Sequence, residues 1–293
     1  MSELTRRVLF GVVAAPIAIA IVLTGGAPLA GLLAVASAVA AWEFFRIARA
    51  AGDAPLSDLG CAIAGLLPLA VHARYLGLLE PRYAFLAIVV LLLVALPIWM
   101  RGPEGKPIGA AAITLLGIVY TGGFLSFGYA IRYHDYAVGA ITVAAIPVSA
   151  GGVLLGLPLI LTWATDIGAF FVGRAVGGRK LIPSVSPGKT ISGAIGGLAA
   201  SIVVTWVYVH FALRPVAQLA MSPWGIVGFG VVVSAAAQVG DLAESLFKRQ
   251  AGVKDSSSLI PGHGGVLDRL DSLFFVLPVA HLLLGWLLLP APR

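Results

Sequence analysis

Charge is scarce in this sequence. Asp, Glu, Lys and Arg make up only 11% of the 293 residues, whereas a soluble domain usually contains about 25%. Hydrophobic residues make up 59%, and the mean hydropathy is +1.00. These proportions exclude an ordinary soluble domain and predict an integral membrane protein. The net charge of +6 is scattered among apolar segments, so it indicates contact with a membrane surface and argues against a nucleic-acid partner.

Cysteine is almost absent as well. Cys61 is the only cysteine, which excludes an intramolecular disulfide and argues against a thiolate-bound metal. A bound metal would then have oxygen ligands, which suit Mg²⁺ and argue against zinc or iron. The first apolar segment directly follows Arg6 and Arg7, and no small-residue cleavage site in a polar stretch follows it. We therefore expect this segment to be retained as a helix.

Long apolar segments predict the fold class. About 20 apolar residues cross a bilayer as a helix, and this length predicts an all-α, polytopic membrane protein with about nine transmembrane helices. The predicted segments are 8–25, 27–48, 59–79, 82–100, 107–131, 153–174, 190–213, 223–247 and 271–289. A further apolar segment, 137–150, contains Pro147 and is followed by Gly151-Gly152, so we predict that it is re-entrant or interfacial. Abundant Gly and Ala indicate helices that pack closely.

The loops between these segments predict an orientation. With nine helices and a cytoplasmic N-terminus, most of the 19 Lys and Arg residues lie on the cytoplasmic side. The most charged loops, 175–189 and 248–270, then both face the cytoplasm. We divide the chain into N-terminal membrane helices, 1–135, and a C-terminal domain, 136–293, which carries the charged segment 241–272. Compact size and the lack of targeting signals favour a bacterial inner (plasma) membrane.

Carboxylates of the C-terminal half lie at predicted helix ends. An ionisable residue within a membrane segment is costly and is therefore a candidate for function. Two groups each share one helix face; the first is Asp241, Glu244, Ser245 and Lys248, and the second is Asp268, Asp271 and Ser272. Carboxylates from two helices could meet at a hard cation such as Mg²⁺. The alternatives are a solvated helix end with an internal ion pair, and acids that complement a helix macrodipole.

Two glycine-containing loops accompany these acids. In Pro261–Val266, PGHGGV, glycines before a helix start predict a backbone cradle for phosphate, with a plain tight turn as the alternative. His263 could carry a proton, donate to phosphate or act as a structural cap. The sequence SPGKT, 186–190, lacks the first glycine of a Walker A loop, which excludes a P-loop. Its lysine and hydroxyls would suit a triphosphate or a lipid phosphate, although ordinary membrane anchoring by cations is the alternative.

Both charged loops resemble one family. Ser245–Asp271, SLFKRQAGVKDSSSLIPGHGGVLDRLD, resembles the signature of the phosphatidate cytidylyltransferases, or CDP-diacylglycerol synthases. The upstream segment TDIGAFFVGRAVGGRKLIPSVSPGKTISGAIGG is similar to the second conserved block of that family. The family commonly has a glutamate soon after Lys-Thr, whereas this chain has Ile191 and Ser192 there. A metal or ribose contact at that point is therefore not expected.

The resemblance implies a reaction, a cofactor and a set of site residues. CTP and phosphatidate would give CDP-diacylglycerol and pyrophosphate, in phospholipid biosynthesis at the cytoplasmic membrane face. It also implies Mg²⁺, a second cation such as K⁺, and a homodimer. The implied catalytic residues are Asp241, Lys248, Asp268 and Asp271, and the implied metal ligands are Asp241, Glu244 and Asp268. The implied substrate-binding residues are Asp166, Ser186, Lys189, Thr190, Ser245, Arg249, Lys254, His263, Gly264, Gly265 and Arg269, with His263 acting through orientation.

Two other functions stay open from the sequence. A related cytidylyltransferase could act on an isoprenoid ether-lipid phosphate, because the nucleotide chemistry would be the same. A secondary transporter would belong to a different class. Transporters often contain internal repeats and have acids near the bilayer midplane, whereas the acids here cluster at one predicted face and no repeat is visible.

Overall fold

Helices dominate the structure, a computed structural model that describes residues 3–80, 83–100, 102, 104–135, 140–143, 146–260, 262 and 264–291. Within these ranges the α-helices are α1 (Glu3–Thr24), α2 (Gly26–Ala50), α3 (Ser57–Tyr75), α4 (Tyr83–Met100), α5 (Pro107–Gly117), α6 (Phe124–Arg132), α7 (Ala150–Val176), α8 (Ile191–Tyr208), α9 (Pro223–Gln250) and α10 (Leu267–Leu287). A π-helical stretch, Ile118–Gly123, joins α5 to α6, and another, Val209–Ala217, continues α8.

Short strands form three antiparallel pairs in the described residues. The pairs are β1 (Ala140–Val143) with β2 (Ile146–Ser149), β3 (Lys180–Ile182) with β4 (Ser186–Thr190), and β5 (Leu219–Ala220) with β6 (Leu289–Pro290). None is longer than five residues. The fold is therefore helical, as the sequence predicts.

Helices occupy all nine predicted transmembrane segments. In the described part of the chain, six helical segments are long and apolar enough to cross a membrane: Gly26–Ala50, Pro107–Arg132, Ala150–Val176, Ile191–Ala217, Pro223–Gln250 and Leu267–Leu287. Shorter apolar parts, Gly11–Thr24 and Ala87–Met100, lie within α1 and α4. The helical membrane class is confirmed, while the number of nine spans and their orientation stay predictions.

The segment before α7 contains a strand pair that was not predicted from the sequence. Residues 140–143 pair with 146–149 as an antiparallel ladder, with Ala140 opposite Ser149. Gly151 and Gly152 both lie in the first turn of α7, and the re-entrant or interfacial placement of residues 137–150 stays a prediction. Ser149 caps this turn, since its Oγ accepts the N–H of Gly152 at 3.1 Å.

The same capping contact starts three helices. The capping residues are Ser149 before α7, Thr190 before α8 and Ser222 before α9. Each side-chain oxygen accepts the N–H of the residue three positions later, at 3.0 to 3.1 Å. That residue is a glycine in all three helices. A Ser or Thr in this position satisfies one of the N–H groups that a helix start leaves without a partner.

The chain divides into two compact units. Unit 1 contains Met1–Pro16, Gly26–Tyr129 and Phe247–Leu270, and unit 2 contains Ile17–Gly25, Ala130–Leu246 and Asp271–Arg293. Most of the signature segment thus belongs to the same unit as α2 and α3. The functional division predicted at residue 135 stays a prediction, since these units are defined by packing alone.

Small residues allow close helix packing in unit 1. A Cβ on Gly65 of α3 would lie 3.1 Å from the Cβ of Ala38 in α2. A Cβ on Gly122, in the π-helical stretch, would lie 2.5 Å from the carbonyl oxygen of Ala64. The backbones of α2, α3 and the π-helical stretch therefore pack closely, as the abundance of Gly and Ala predicts.

Unit 2 is packed in the same way. A Cβ on Gly168 of α7 would lie 2.8 Å from the carbonyl oxygen of Gly196 in α8, and one on Gly240 of α9 would lie 2.7 Å from that of Asp271 in α10. The buried Arg132 donates from Nε and Nη2 to the carbonyls of Val22 and Leu23, at 3.1 and 2.9 Å. These contacts satisfy carbonyls at the end of α1.

Candidate functional site

Asp268 organises the signature loop, residues 251–266, in unit 1. Its carboxylate accepts the ammonium of Lys248 at 2.7 Å, the N–H of Ser256 at 3.0 Å, the Ser256 hydroxyl at 2.8 Å and the N–H of Gly265 at 2.8 Å. The side chains of Asp268 and Lys248 are only 5% and 13% exposed. The pair is therefore a largely buried, hydrogen-bonded ion pair that connects α9, the loop and α10.

Glu43 of α2 holds the same loop from another direction, and sequence reasoning missed it. Its carboxylate accepts the hydroxyls of Ser256 and Ser257, at 3.1 and 2.5 Å. It also accepts the N–H groups of Val266 and Leu267, at 3.1 and 2.6 Å. Glu43 is fully buried, and its negative charge lies at the positive end of the α10 dipole.

The described residues of the glycine-rich segment before α10 make hydrogen bonds within the chain. The N–H of Ile260 donates to the carbonyl of Gly264 at 2.9 Å, and Gly264 has a φ of +79°, which favours glycine. The N–H groups of Gly265 and Val266 donate to the carboxylates of Asp268 and Glu43. Ile260 and Gly264 thus pair with each other, and both the phosphate cradle and the plain tight turn stay predictions. Pro261 and His263 lie outside the described residues, so the role of His263 stays a prediction.

Unit 2 contains a charged cavity of about 710 Å³ between α7, α8, α9 and the β3–β4 hairpin. We call it the α7–α9 cavity. Its polar lining comprises Asp166, Arg174, Lys180, Lys189, Thr190, Gln238 and Asp241, and its apolar lining includes Phe170 and Leu181. Such a volume, with a few convergent polar groups, is typical of a small-molecule site.

Carboxylates and cations face each other in this cavity. Lys189 Nζ lies 2.6 Å from Asp241 Oδ2, with the two side chains 26% and 32% exposed. Asp166 lies on α7, and its carboxyl group interacts electrostatically with both the Asp241 carboxylate and the Lys189 ammonium. The guanidinium of Arg174 stacks 6.0 Å from the ring centre of Phe170. The structure therefore brings together three residues that the sequence predicted, Asp166, Lys189 and Asp241.

The SPGKT segment forms strand β4, and its threonine has a structural role. Thr190 Oγ1 caps α8 and also lies 3.1 Å from the Ser192 hydroxyl. Ser192 in turn donates to the carbonyl of Gly177. Ser186 lies at the far end of the strand and does not line the cavity. Strand β4 therefore presents Lys189 to the cavity, while Thr190 caps α8.

The other predicted residues lie in several environments. Glu244 is buried, at 1% exposure, and is not among the residues that line the cavity. Ser245 Oγ lies 3.4 Å from Asp241 Oδ1, and Asp271 accepts the N–H of Ser272 at 2.6 Å. Three predicted phosphate-binding cations are exposed, namely Arg249, Lys254 and Arg269.

Three cavity residues were not predicted as site residues. Arg174 and Lys180 were counted among the cations of a loop that would suit a phosphate, but neither was named as a site residue, although they precede the SPGKT segment by only 12 and 6 residues. Gln238 lies one helical turn before Asp241, so a polar residue on the Asp241 face of an apolar helix was the available signal. Its Nε2 donates to the carbonyl of Ala194 at 3.2 Å.

The cavity fits Mg²⁺ better than the surroundings of Asp268 do. Mg²⁺ is usually held by one or two carboxylates together with substrate phosphates and water, and Asp166 and Asp241 both line the cavity. Among the described residues, no three Asp, Glu, His or Cys side chains are grouped as metal ligands. The carboxylate of Asp268 already accepts several donors, and a metal ion there would have to displace Lys248.

The apolar helices and the charged cavity together define a helical membrane protein with a site suited to a polyphosphate and a hard cation. The chain belongs to the cytidylyltransferase family, whose model matches residues 5–287. It is 51% identical over 128 residues to a phosphatidate cytidylyltransferase of Haemophilus influenzae, and 38% identical over 174 residues to one of Staphylococcus aureus. These alignments cover 43% and 59% of this chain, and the same shares of the two relatives.

Proposed function

We propose that the protein transfers the cytidylyl group of CTP to phosphatidate, forming CDP-diacylglycerol and pyrophosphate. The names of the relatives and the resemblance of the signature segment support this reaction. The observation that carries the proposal is the α7–α9 cavity, in which Asp166 and Asp241 stand beside Arg174, Lys180 and Lys189. Cations that neutralise phosphates and carboxylates that hold a metal are needed together when a polyphosphate is the substrate.

The chemistry requires charge neutralisation more than acid–base catalysis. A phosphate oxygen of phosphatidate attacks the α-phosphorus of CTP, and the bond from that phosphorus to the bridging oxygen of the β-phosphate breaks, so pyrophosphate leaves. The attacking group is already an anion near neutral pH, so no general base has to activate it. The cations of the cavity reduce the repulsion between the two anions and stabilise the charge of the transition state.

Lys189 and Asp241 would exchange partners when substrate binds. In the structure they neutralise each other at 2.6 Å. We propose that Asp241 and Asp166 hold Mg²⁺, which would supply positive charge to the triphosphate oxygens. Lys189 is then available to a phosphate oxygen, with Arg174 and Lys180 beside it. A second cation such as K⁺, a homodimer and an active site at the cytoplasmic face of a bacterial inner membrane belong to the same proposal.

Transfer of label from CTP to lipid tests the proposal. The purified chain in detergent is given CTP labelled at the α-phosphate, and radioactivity in chloroform-soluble lipid is measured with and without phosphatidate and Mg²⁺. We expect transfer only when both are present, loss with EDTA and recovery with added Mg²⁺. Asp241→Asn should lower kcat/KM by about 10²-fold or more, whereas Asp135→Asn, at an exposed carboxylate of the same unit, should behave as wild type.

Two results would contradict parts of the proposal. If folded wild type binds CTP but labels no lipid from phosphatidate, the acceptor is wrong, and an isoprenoid ether-lipid phosphate becomes the next acceptor to assay. If Asp241→Asn retains full Mg²⁺-dependent activity, the reaction stands but Asp241 is not a ligand of the metal.

A further inference from the structure

We propose that Glu43 is a positioning residue for this reaction, which holds the signature loop so that Lys248 and Asp268 keep their paired geometry. The inference rests on the proposed function and on the family resemblance, which implies that Lys248 and Asp268 are catalytic residues. Glu43 lies 213 residues before Ser256 in the chain, and yet its carboxylate is bonded to both ends of residues 256–267.

The four donors to Glu43 divide evenly between its two oxygens. Oε1 accepts the Ser257 hydroxyl and the N–H of Val266, and Oε2 accepts the Ser256 hydroxyl and the N–H of Leu267. Each oxygen therefore faces one backbone N–H, which can only donate. A glutamine at this position would turn its amide NH₂ toward a backbone N–H in either orientation. Only a carboxylate satisfies this set of donors.

Ser256 links Glu43 directly to Asp268. Its hydroxyl oxygen lies 3.1 Å from Glu43 Oε2 and 2.8 Å from Asp268 Oδ2. The single hydroxyl proton of Ser256 is thus within reach of both the Glu43 and the Asp268 carboxylates, and both carboxylates fix the position of Ser256. The Cα of Gly265 packs against the same hydroxyl and against Glu43, because a Cβ there would overlap Ser256 Oγ and Glu43 Oε1.

The donors that orient Asp268 are those that Glu43 holds in place. Ser256 gives Asp268 its hydroxyl and its N–H, and Gly265 gives its N–H. Ser256 is bonded to Glu43, and Gly265 directly precedes Val266, which is bonded to Glu43 as well. Loss of the Glu43 carboxylate would release these donors, and the Asp268 carboxylate that holds the Lys248 ammonium would lose its fixed position.

Kinetics of matched variants test the effect on the reaction. A displacement of about 1 Å at a reacting group costs on the order of 10²-fold in rate, so Glu43→Gln should lower kcat by about that factor. The KM for CTP should change by no more than about threefold, because no residue of the α7–α9 cavity is altered. Ser257→Ala removes one donor and leaves the carboxylate, and we expect a loss of only about threefold to tenfold. Glu104→Gln, at an exposed glutamate of the same unit, should match wild type.

A spin label tests the effect on the loop without any assay of activity. Cys61 is the only native cysteine, so a Cys61→Ala background accepts a nitroxide through Ser258→Cys, at an exposed residue of the signature loop. We expect Glu43→Gln to increase the mobility of this label. A label introduced through Leu78→Cys, at a residue 77% exposed in the same unit, should keep its mobility.

The outcomes separate positioning from general destabilisation. If Glu43→Gln matches Glu104→Gln in kcat and leaves the label at residue 258 unchanged, the proposal is overturned. If both labels become mobile together, Glu43 only stabilises the unit, which also overturns it. If Glu43→Gln yields no folded protein, Ser257→Ala decides, and unchanged kcat with an unchanged label refutes the proposal. If wild type transfers no cytidylyl group, the proposed function fails, while the label still shows whether Glu43 holds the loop.

Discussion

The largely buried ion pair between Lys248 and Asp268 leads to a quantitative prediction about stability. Removal of one partner from a buried ion pair costs about 3–5 kcal/mol, because the remaining charge stays buried without compensation. The nitrogen and oxygen of this pair are 2.7 Å apart, and the side chains are 13% and 5% exposed. We expect Lys248→Met to lie near the lower end of that range, because Asp268 keeps its donors from Ser256 and Gly265.

Asp268→Asn should be the more costly change. It removes the negative charge next to Lys248 and also replaces one acceptor oxygen by an NH₂ group, which opposes the N–H and hydroxyl donors of the loop. The double variant should lose less than the sum of the two single variants, by about 1–3 kcal/mol, because it leaves no isolated charge. Lys254→Met, at an exposed cation of the same loop, should cost less than about 0.5 kcal/mol.

Equilibrium unfolding in mixed detergent–SDS micelles measures these differences. Circular dichroism follows the helices, and the reaction of Cys61 with a thiol-reactive dye follows unit 1, which contains both Cys61 and the pair. Single variants that each cost less than about 1 kcal/mol and add within about 0.5 kcal/mol in the double variant would refute the reasoning. Such a result would show that the pair does not exist in the folded protein, and it would remove the basis for the positioning role of Glu43.

Two further predictions concern single positions. Gly265→Ala should destabilise the protein by about 1–3 kcal/mol, because the new methyl group overlaps buried polar groups. Gly228→Ala, on α9 with open space around it, should be neutral or stabilise by up to about 1 kcal/mol. Equal unfolding temperatures for Gly265→Ala and Gly228→Ala would contradict the close packing around Gly265. Burial lowers the pKa of His134 below 6.5, and the carboxylate of Asp135 partly opposes this shift. The unfolded chain then binds the proton at a higher pH than the folded protein, so wild type should lose more stability than His134→Gln as the pH falls below about 6.5; parallel pH profiles would refute this.

The helices were predictable because the signal for them is local. An apolar stretch of sufficient length predicts a membrane helix whatever its neighbours are, and this explains why helices occupy all nine predicted segments. The pair β1–β2 was missed although its signal was also local. Ile141, Thr142, Val143, Ile146 and Val148 are β-branched residues, which favour strands, but the apolar character of the segment was given more weight.

The partners within the site were not predictable from one sequence. Lys248 and Asp268 were both singled out, but nothing in the sequence shows that they pair with each other across a 20-residue separation. Glu43 gave a usable signal, because it is a lone acid in the predicted membrane segment 27–48. The rule that a membrane-embedded ionisable residue is a candidate for function applies to Glu43 as much as to the acids after Asp135. Its partners in the loop could only be found from the fold.

The two lysine–aspartate pairs have a common consequence for ligand binding. Lys189 is held by Asp241, and Lys248 is held by Asp268. An anionic ligand that draws either lysine away leaves its aspartate without a counter-charge. A cation that binds the aspartate likewise leaves the lysine without a counter-charge. A polyphosphate and a hard cation that arrive together compensate both charges at once. If the proposed function is correct, the binding of CTP and that of Mg²⁺ therefore favour each other by the same factor, as linkage between two ligands requires.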